Sequence, residues 1–303
     1  MADLHDTTTT SRTTGEQARA ELLADLPLIE RRLELAEVST AVLEGGDGPP
    51  VMLLHDPSEY AAKWFRVLPG LTRTHRVIAP DLPGHGTSRV LRGGLDRERA
   101  DDWLGELIDA TCTTPPALVG LIIGGAIAAR FAAAHPDRVS RLVLVDSLGL
   151  RPLQPTPEFG QALNAYLVDP NEDTHDGLWR YCAFDLGRLR AEMGDRWAPF
   201  AAYNIDRAAT PEVQESLHQL MEQFAFPAIP PEVLAAISTP TTLIWGRHDL
   251  ATPLEVAQDA SARYGWPLHV IEGAADDPVI EQPEAFLRAL YVALGRTVTR
   301  RQP

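Results

Sequence analysis

The chain has 303 residues, 45% of them hydrophobic, which is enough for one large domain with a sizeable core and excludes small, disordered and coiled-coil classes. Its 42 acidic residues against 27 basic ones leave a net charge of −15, which favours solubility and argues against nucleic acid or an anionic membrane surface as partner. Lys63 is the only lysine, a bias toward arginine that reflects coding composition rather than a mechanism.

Residues 1–15 form a polar, Thr-rich tail, expected to be disordered, without the cationic and apolar regions of a signal peptide. Ala18, Leu22 and Leu23 at helical spacing predict a short helix over Glu16–Asp25, closed by Pro27. Ile29–Leu35 and Val38–Leu43 read as two strands, an antiparallel start to a sheet, ending in the turn cluster 45–50. From Val51 the rhythm changes to short apolar strands alternating with helices, which predicts a parallel sheet covered on both faces. The strands are Val51–Leu54, Arg76–Ala79, Ala117–Gly120 and Arg141–Val145; the helices between them cover Glu59–Leu71, Arg97–Ala110 and Gly124–Ala134. The rhythm stops over 147–239, a helical stretch rich in aromatic residues such as Phe159, Trp179, Tyr181 and Phe200. It resumes with Thr241–Trp245, the helix Pro253–Tyr264, the strand Pro267–Glu272 and the helix Gln282–Leu294. The fold class is therefore α/β, a three-layer αβα sandwich with a mostly parallel sheet. Residues 16–146 and 240–303 make the core, and 147–239 a helical cap over the edge of the sheet where open α/β folds bind ligands.

Cys112 and Cys182 lie far apart and lack metal-ligand spacing, so no disulfide framework or zinc site is expected and a reduced, cytoplasmic protein is the simplest reading. No stretch approaches the roughly 18 consecutive apolar residues of a membrane span. The glycines at 120, 124 and 125 lack the G-x-G-x-x-G spacing, and no metal set is apparent, so no cofactor and no metal are expected. The expected partner is a hydrophobic small molecule, with no nucleic acid and no membrane; a homodimer is compatible with the composition.

The centre of the chain is Leu118-Val119-Gly120-Leu121-Ile122-Ile123-Gly124-Gly125-Ala126, a strand that turns sharply into a small-residue helix. It has the form of the G-x-S-x-G nucleophile elbow with Ile122 at the serine position. Together with Leu53-Leu54-His55, the run from Asp81 to Ser88, the run from Leu243 to Asp249, and Gly273 to Pro278 ahead of Glu281 to Phe286, it resembles the α/β-hydrolase fold family over nearly the whole chain after Ile29.

In that family the elbow serine attacks a carbonyl, a histidine takes its proton and an aspartate orients the histidine. The resemblance aligns Asp249 with the aspartate, puts Asp276 in the histidine's place, and puts Asp56 where the oxyanion loop has its glycine, followed by Pro57, which has no N–H. Loss of a triad nucleophile costs on the order of a million-fold in turnover and loss of an oxyanion donor roughly a hundred- to a thousand-fold, so serine esterase chemistry is not expected. Asp249, Asp276 and Asp56 are the candidate proton-transfer residues, because carboxyls sharing a partly dry pocket separate their pKa values into an acid and a base. The expected substrate contacts are Ile122, Leu121, Ile123, His55, Pro57, Trp179, Tyr181 and His248. The leading expectation is a non-hydrolytic enzyme of cyclase, isomerase or lyase type acting on a hydrophobic, oxygenated small molecule such as a natural-product intermediate. The alternatives are a non-catalytic binding protein on the same fold and a hydrolase whose carboxylate activates water.

Overall fold

The computed structural model describes residues 15–296, and among these nine strands form one sheet. They are β1 (Ile29–Leu35), β2 (Val38–Gly45), β3 (Pro50–Leu54), β4 (Arg76–Pro80), β5 (Arg89–Val90), β6 (Ala117–Leu121), β7 (Arg141–Val145), β8 (Thr241–Gly246) and β9 (Leu268–Ile271). The spatial order is β1-β2-β4-β3-β6-β7-β8-β9, with β5 paired to β2. From β4 to β9 along that path every pairing is parallel. The reason is visible in β6, where all five residues are buried: a strand covered on both faces needs a continuous apolar run rather than an alternating one. The β1–β2 hairpin is antiparallel, and its two-residue loop, Ala36-Glu37, has φ of 46° and 63°, as a tight hairpin turn requires.

The helices are α1 (Gly15–Leu23), α2 (Leu68–Leu71), α3 (Arg97–Thr111), α4 (Ile123–Ala134), α5 (Pro157–Val168), α6 (Glu172–Cys182), α7 (Leu186–Met193), α8 (Trp197–Ala208), α9 (Pro211–Leu220), α10 (Pro231–Ala235), α11 (Leu254–Tyr264), α12 (Pro278–Glu281) and α13 (Pro283–Ala293). Alternate strand residues feed two cores. Met52, Leu118 and Leu144 pack with Trp103 of α3, Phe131 of α4 and Ala257 of α11, whereas Val51, Val119 and Val143 pack with Leu22 of α1, Leu68 of α2 and Phe286 of α13. The three-layer arrangement follows.

Helices α5–α10 lie between β7 and β8, and no strand interrupts them among the described residues. Their starts carry local signals: Thr156 caps α5, Asp185 caps α7, and Asn171 with Thr174 makes a reciprocal capping box on α6.

Three details differ from the expectation. Glu59–Leu71 is not one helix but a 3₁₀ turn over Ala61–Arg66 followed by α2, because Pro69 has no N–H to give the carbonyl four residues back. Neither β5 nor α12 was anticipated, both being too short for a periodic signal. The expected polar tail lies outside the described residues except for Gly15, which begins α1.

The register of the sheet sets the place of the site. Leu54 pairs with Gly120, Leu121 with Val145, Val145 with Ile244 and Gly246 with Ile271, so the loops after β3, β6, β7, β8 and β9 all leave at one edge.

Candidate functional site

Ile122 stands at the apex between β6 and α4 with φ 49° and ψ −105°. For a β-branched residue this region is a steric outlier, costing roughly 1–3 kcal/mol. The surrounding packing holds it there: Ile122 N–H donates to Val145 O at 2.9 Å, a Cβ on Gly120 would lie 2.3 Å from Gly124 O, and one on Gly124 would lie 2.4 Å from Leu54 O. The strained elbow geometry is thus retained, and its apex carries a side chain that can neither donate nor accept a proton.

Above the apex is a cavity of about 160 Å³, close to the size of one that admits a benzene ring. Ile122, Leu148, Phe159, Leu163, Tyr166 and Leu217 line its apolar part, most of it supplied by the helices between β7 and β8. Its polar end is lined by Asp56, Ser58, Glu59, Lys63, Asn204, Asp276 and Asp277, with Cys182 beside them. Among the described residues, none that lines the cavity is a histidine.

Lys63 organises that polar end. It is 2% exposed; its Nζ bonds Asp56 Oδ2, lies 2.8 Å from Asp277 Oδ2 and 3.4 Å from Glu59 Oε1, and sits 5.7 Å from the centre of the Trp179 ring. Burial alone would lower the ammonium pKa, but Asp277, Asp56 and Glu59 overcome this and hold it well above its ordinary 10.5, so Lys63 is charged. One cation cannot balance four carboxyls in a dry site. Burial pushes Asp56 up to about 6 and Glu59 up to about 8 against the pull of Lys63. Asp276 is raised well above the carboxylate range, first by burial and then by the charges of Asp249 and Asp277. Glu59 therefore holds its proton at neutral pH, burial and the neighbouring charges favour the neutral form of Asp276, and Asp56 and Asp277, the carboxyls nearest the ammonium, are the ones whose charge it offsets. Cys182 lines the cavity with Asp276, and burial, reinforced by the charge of Asp276, raises its thiol and keeps it protonated. The Asn204 amide, turned with its nitrogen toward the cluster, reaches Glu59 Oε2 at 3.1 Å and Tyr60 Oη at 2.8 Å.

The candidate residues from the sequence divide in two. Asp56, Asp276, Ile122, Pro57 and Trp179 line the cavity together. Asp249 does not. Its Oδ1 accepts from Ala251 N at 2.7 Å and Thr252 N at 2.8 Å, and its Oδ2 accepts from Thr252 Oγ1. Burial raises Asp249 to about 7, and its charge raises Asp276, so the two carboxyls sense one another although only Asp276 faces the cavity. His55 is fully buried beneath the loop, with Nδ1–H donating to Asp56 O at 2.7 Å and Nε2 accepting from Leu82 N at 2.8 Å. Leu121 and Ile123 are fully buried in the two cores, one on each side of the sheet, and so lie under the cavity rather than along it. Tyr181 packs with the Phe159, Tyr166 and Leu178 cluster. His248 is exposed and stacks on Phe184, with ring centroids 4.2 Å apart.

Lys63, Glu59 and Asp277 are the site residues that the sequence reading passed over. A signal existed: the sole lysine of the chain stands four residues after a glutamate, in the segment next to Asp56. Among the described residues no group of three or more His, Cys, Asp or Glu is arranged to hold a metal ion, and no helix is long and apolar enough to cross a membrane.

The 2-hydroxymuconate semialdehyde hydrolase of Pseudomonas sp. (strain CF600) is 38% identical over 128 residues, which are 41% of this chain and 45% of that protein. The magnesium-chelatase 30 kDa subunit of Rhodobacter capsulatus is 32% identical over 224 residues, covering 71% of this chain and 76% of that protein. Among solved structures, a meta-cleavage product hydrolase of Pseudomonas fluorescens IP01 superimposes with a TM-score of 0.72 at 26% identity, covering 89% of this chain and 99% of that one. Residues 49–283 match the family described as alpha/beta hydrolase fold, and the chain belongs to that family.

Proposed function

We propose that the protein is an enzyme with a degenerate triad, acting by acid–base chemistry on a small, hydrophobic, oxygenated molecule, without an acyl-enzyme intermediate. The observation that carries this reading is the Lys63–Asp56–Asp277 ion cluster on the wall of the same cavity that holds Asp276 and Ile122. Asp276 is the acid, a neutral carboxyl that can give its proton to a substrate oxygen; Asp56, an acceptor fixed by the ammonium, is the base. Ile122 and the apolar wall hold the carbon skeleton in one orientation and keep water out. A reaction of cyclase, isomerase or lyase type needs no nucleophile and fits this equipment.

A second reading is hydrolysis by water that Asp56 activates, and the hydrolases among its relatives favour it. In both readings the ligand is a small molecule rather than nucleic acid or a membrane. One experiment separates them: α-proton exchange of phenylacetone in deuterated water, followed by NMR, alongside phenyl acetate cleavage in labelled water. Exchange that needs the protein and drops in Asp276→Asn supports the acid–base reading. Enzyme-dependent labelling of the acetate supports the hydrolytic one, and neither reaction from a protein that binds both compounds leaves a binding protein.

A further inference from the structure

We infer that the cavity selects a ligand carrying a protonated amine on a compact hydrophobic body, and rejects a matching carboxylate. The inference rests on the reading of this cavity as the reaction chamber and adds the charge of what enters it. Four carboxyl groups, those of Asp56, Glu59, Asp276 and Asp277, line the polar end against a single ammonium, that of Lys63. Acidic residues in a group are ordinarily only a solvated surface, but these are withdrawn from water: Asp56 is 5%, Asp276 5% and Asp277 2% exposed. Three of their oxygens point to a missing partner. Asp56 Oδ1 and both carboxyl oxygens of Asp277 are buried without a hydrogen-bond partner among the described residues, although Asp56 Oδ2 bonds Lys63 and Asp277 Oδ2 pairs with its ammonium at 2.8 Å. A buried carboxylate oxygen left without a donor is costly, and a ligand ammonium offers three donors together with the missing charge.

The remaining wall agrees with this assignment. Phe159, Tyr166 and Trp179 line the cavity, and aromatic rings attract cations through their π faces. An anionic ligand would have to displace Asp56 or Asp277 from Lys63, leaving a carboxylate uncompensated inside the protein. Because the excess carboxyls hold protons when no second cation is present, an arriving ammonium ionises one of them, and its binding releases a proton.

The test uses benzylamine, benzyl alcohol and benzoate, which match in size and differ in charge, with the unmodified full chain in isothermal titration calorimetry at pH 7. Benzylamine is expected to bind at least about tenfold more tightly than benzoate, with a heat that varies with the ionisation enthalpy of the buffer as proton release requires. Since the whole chain is acidic, two variants separate the cavity from its surface: Asp276→Asn reduces the preference for the amine, and Leu163→Trp, which fills the apolar part, abolishes binding of all three. Equal or tighter binding of benzoate, no binding by any probe, or amine binding that neither variant changes would overturn the inference. Amine binding without proton exchange or ester cleavage sinks the proposed function and leaves this inference standing; turnover with benzoate preferred does the reverse.

Discussion

Lys63 Nζ lies 2.8 Å from Asp277 Oδ2 and also bonds Asp56 Oδ2, so one side chain ties the loop after β3 to the loop after β9. Removing the ammonium leaves three carboxyls buried around a hole. Lys63→Met is expected to destabilise the protein by about 3–5 kcal/mol at pH 8, the usual cost of breaking a buried ion pair from one side. The loss should shrink at pH 6, where Asp56 and Glu59 can neutralise themselves by taking up protons. Urea denaturation at the two pH values measures both effects, and a loss below about 1 kcal/mol at pH 8 would mean that the cluster is wetter than its geometry implies.

Glu59 gives the site a pH dependence of defined sign. Burial, reinforced by Asp56 and Asp277 and opposed by Lys63, lifts its carboxyl from 4.5 to about 8, with the Asn204 amide facing it. A carboxyl raised on folding contributes stability that is fully present below its unfolded pKa and lost as pH rises through the folded one. The thermal midpoint should therefore fall between about pH 5 and pH 8, and Glu59→Gln should flatten that slope while Glu281, also raised by burial to about 8, preserves part of it. Circular dichroism melts across this range decide the matter: parallel slopes for the two proteins would remove Glu59 from the account.

The fold could be read closely from the sequence because its signals are local and repeated. Short strands built on unbroken apolar runs, such as Ala117–Leu121 in β6 and Leu142–Val145 in β7, leave few alternatives to a parallel sheet. The elbow was equally visible, since Gly120 and Gly124 stand four residues apart in a strand-to-helix run, although only Gly120 is required by a local contact, with Gly124 itself, whereas Gly124 is required by the backbone of Leu54 and His55 at the end of the neighbouring strand. The polar end of the cavity was less so. Asp56 and Asp276 could be found by alignment to loop positions, but the ion cluster joins residues 56, 59, 63 and 277, and nothing local announces a contact spanning more than two hundred residues. Asp249 shows the converse difficulty, for a carboxyl at a strand end looks the same in sequence whether it faces a ligand or caps its own turn.

The apex residue yields a prediction about restoring the usual chemistry. Ile122→Ser puts a hydroxyl on a strained turn of the right shape, yet among the described residues no histidine lines the cavity to take its proton. Burial and the charges of Asp249 and Asp277 favour the protonated form of the Asp276 carboxyl, which makes it a poor base there. Hydrolysis of p-nitrophenyl acetate by Ile122→Ser should stay within about tenfold of the unmodified protein, since elements of a triad act as a unit and one alone recovers little. A hundredfold gain would show that a base had been overlooked.

Asp249 and Asp276 should separate when each is replaced by asparagine. Asp276 faces the cavity as a proton donor, so Asp276→Asn should slow phenylacetone exchange by about a hundred- to ten-thousand-fold, the usual contribution of a positioned acid. Asp249 spends both oxygens on its own turn, and Asp249→Asn keeps an acceptor for the Ala251 and Thr252 amides. That variant should exchange at close to the original rate, whereas Asp249→Ala should lose about 1–3 kcal/mol of stability by leaving those donors unpaired. Exchange rates and urea midpoints on the three proteins give the comparison. An Asp249→Asn protein as slow as Asp276→Asn, with its midpoint unchanged, would bring Asp249 into the chemistry as the partner that sets the charge of Asp276.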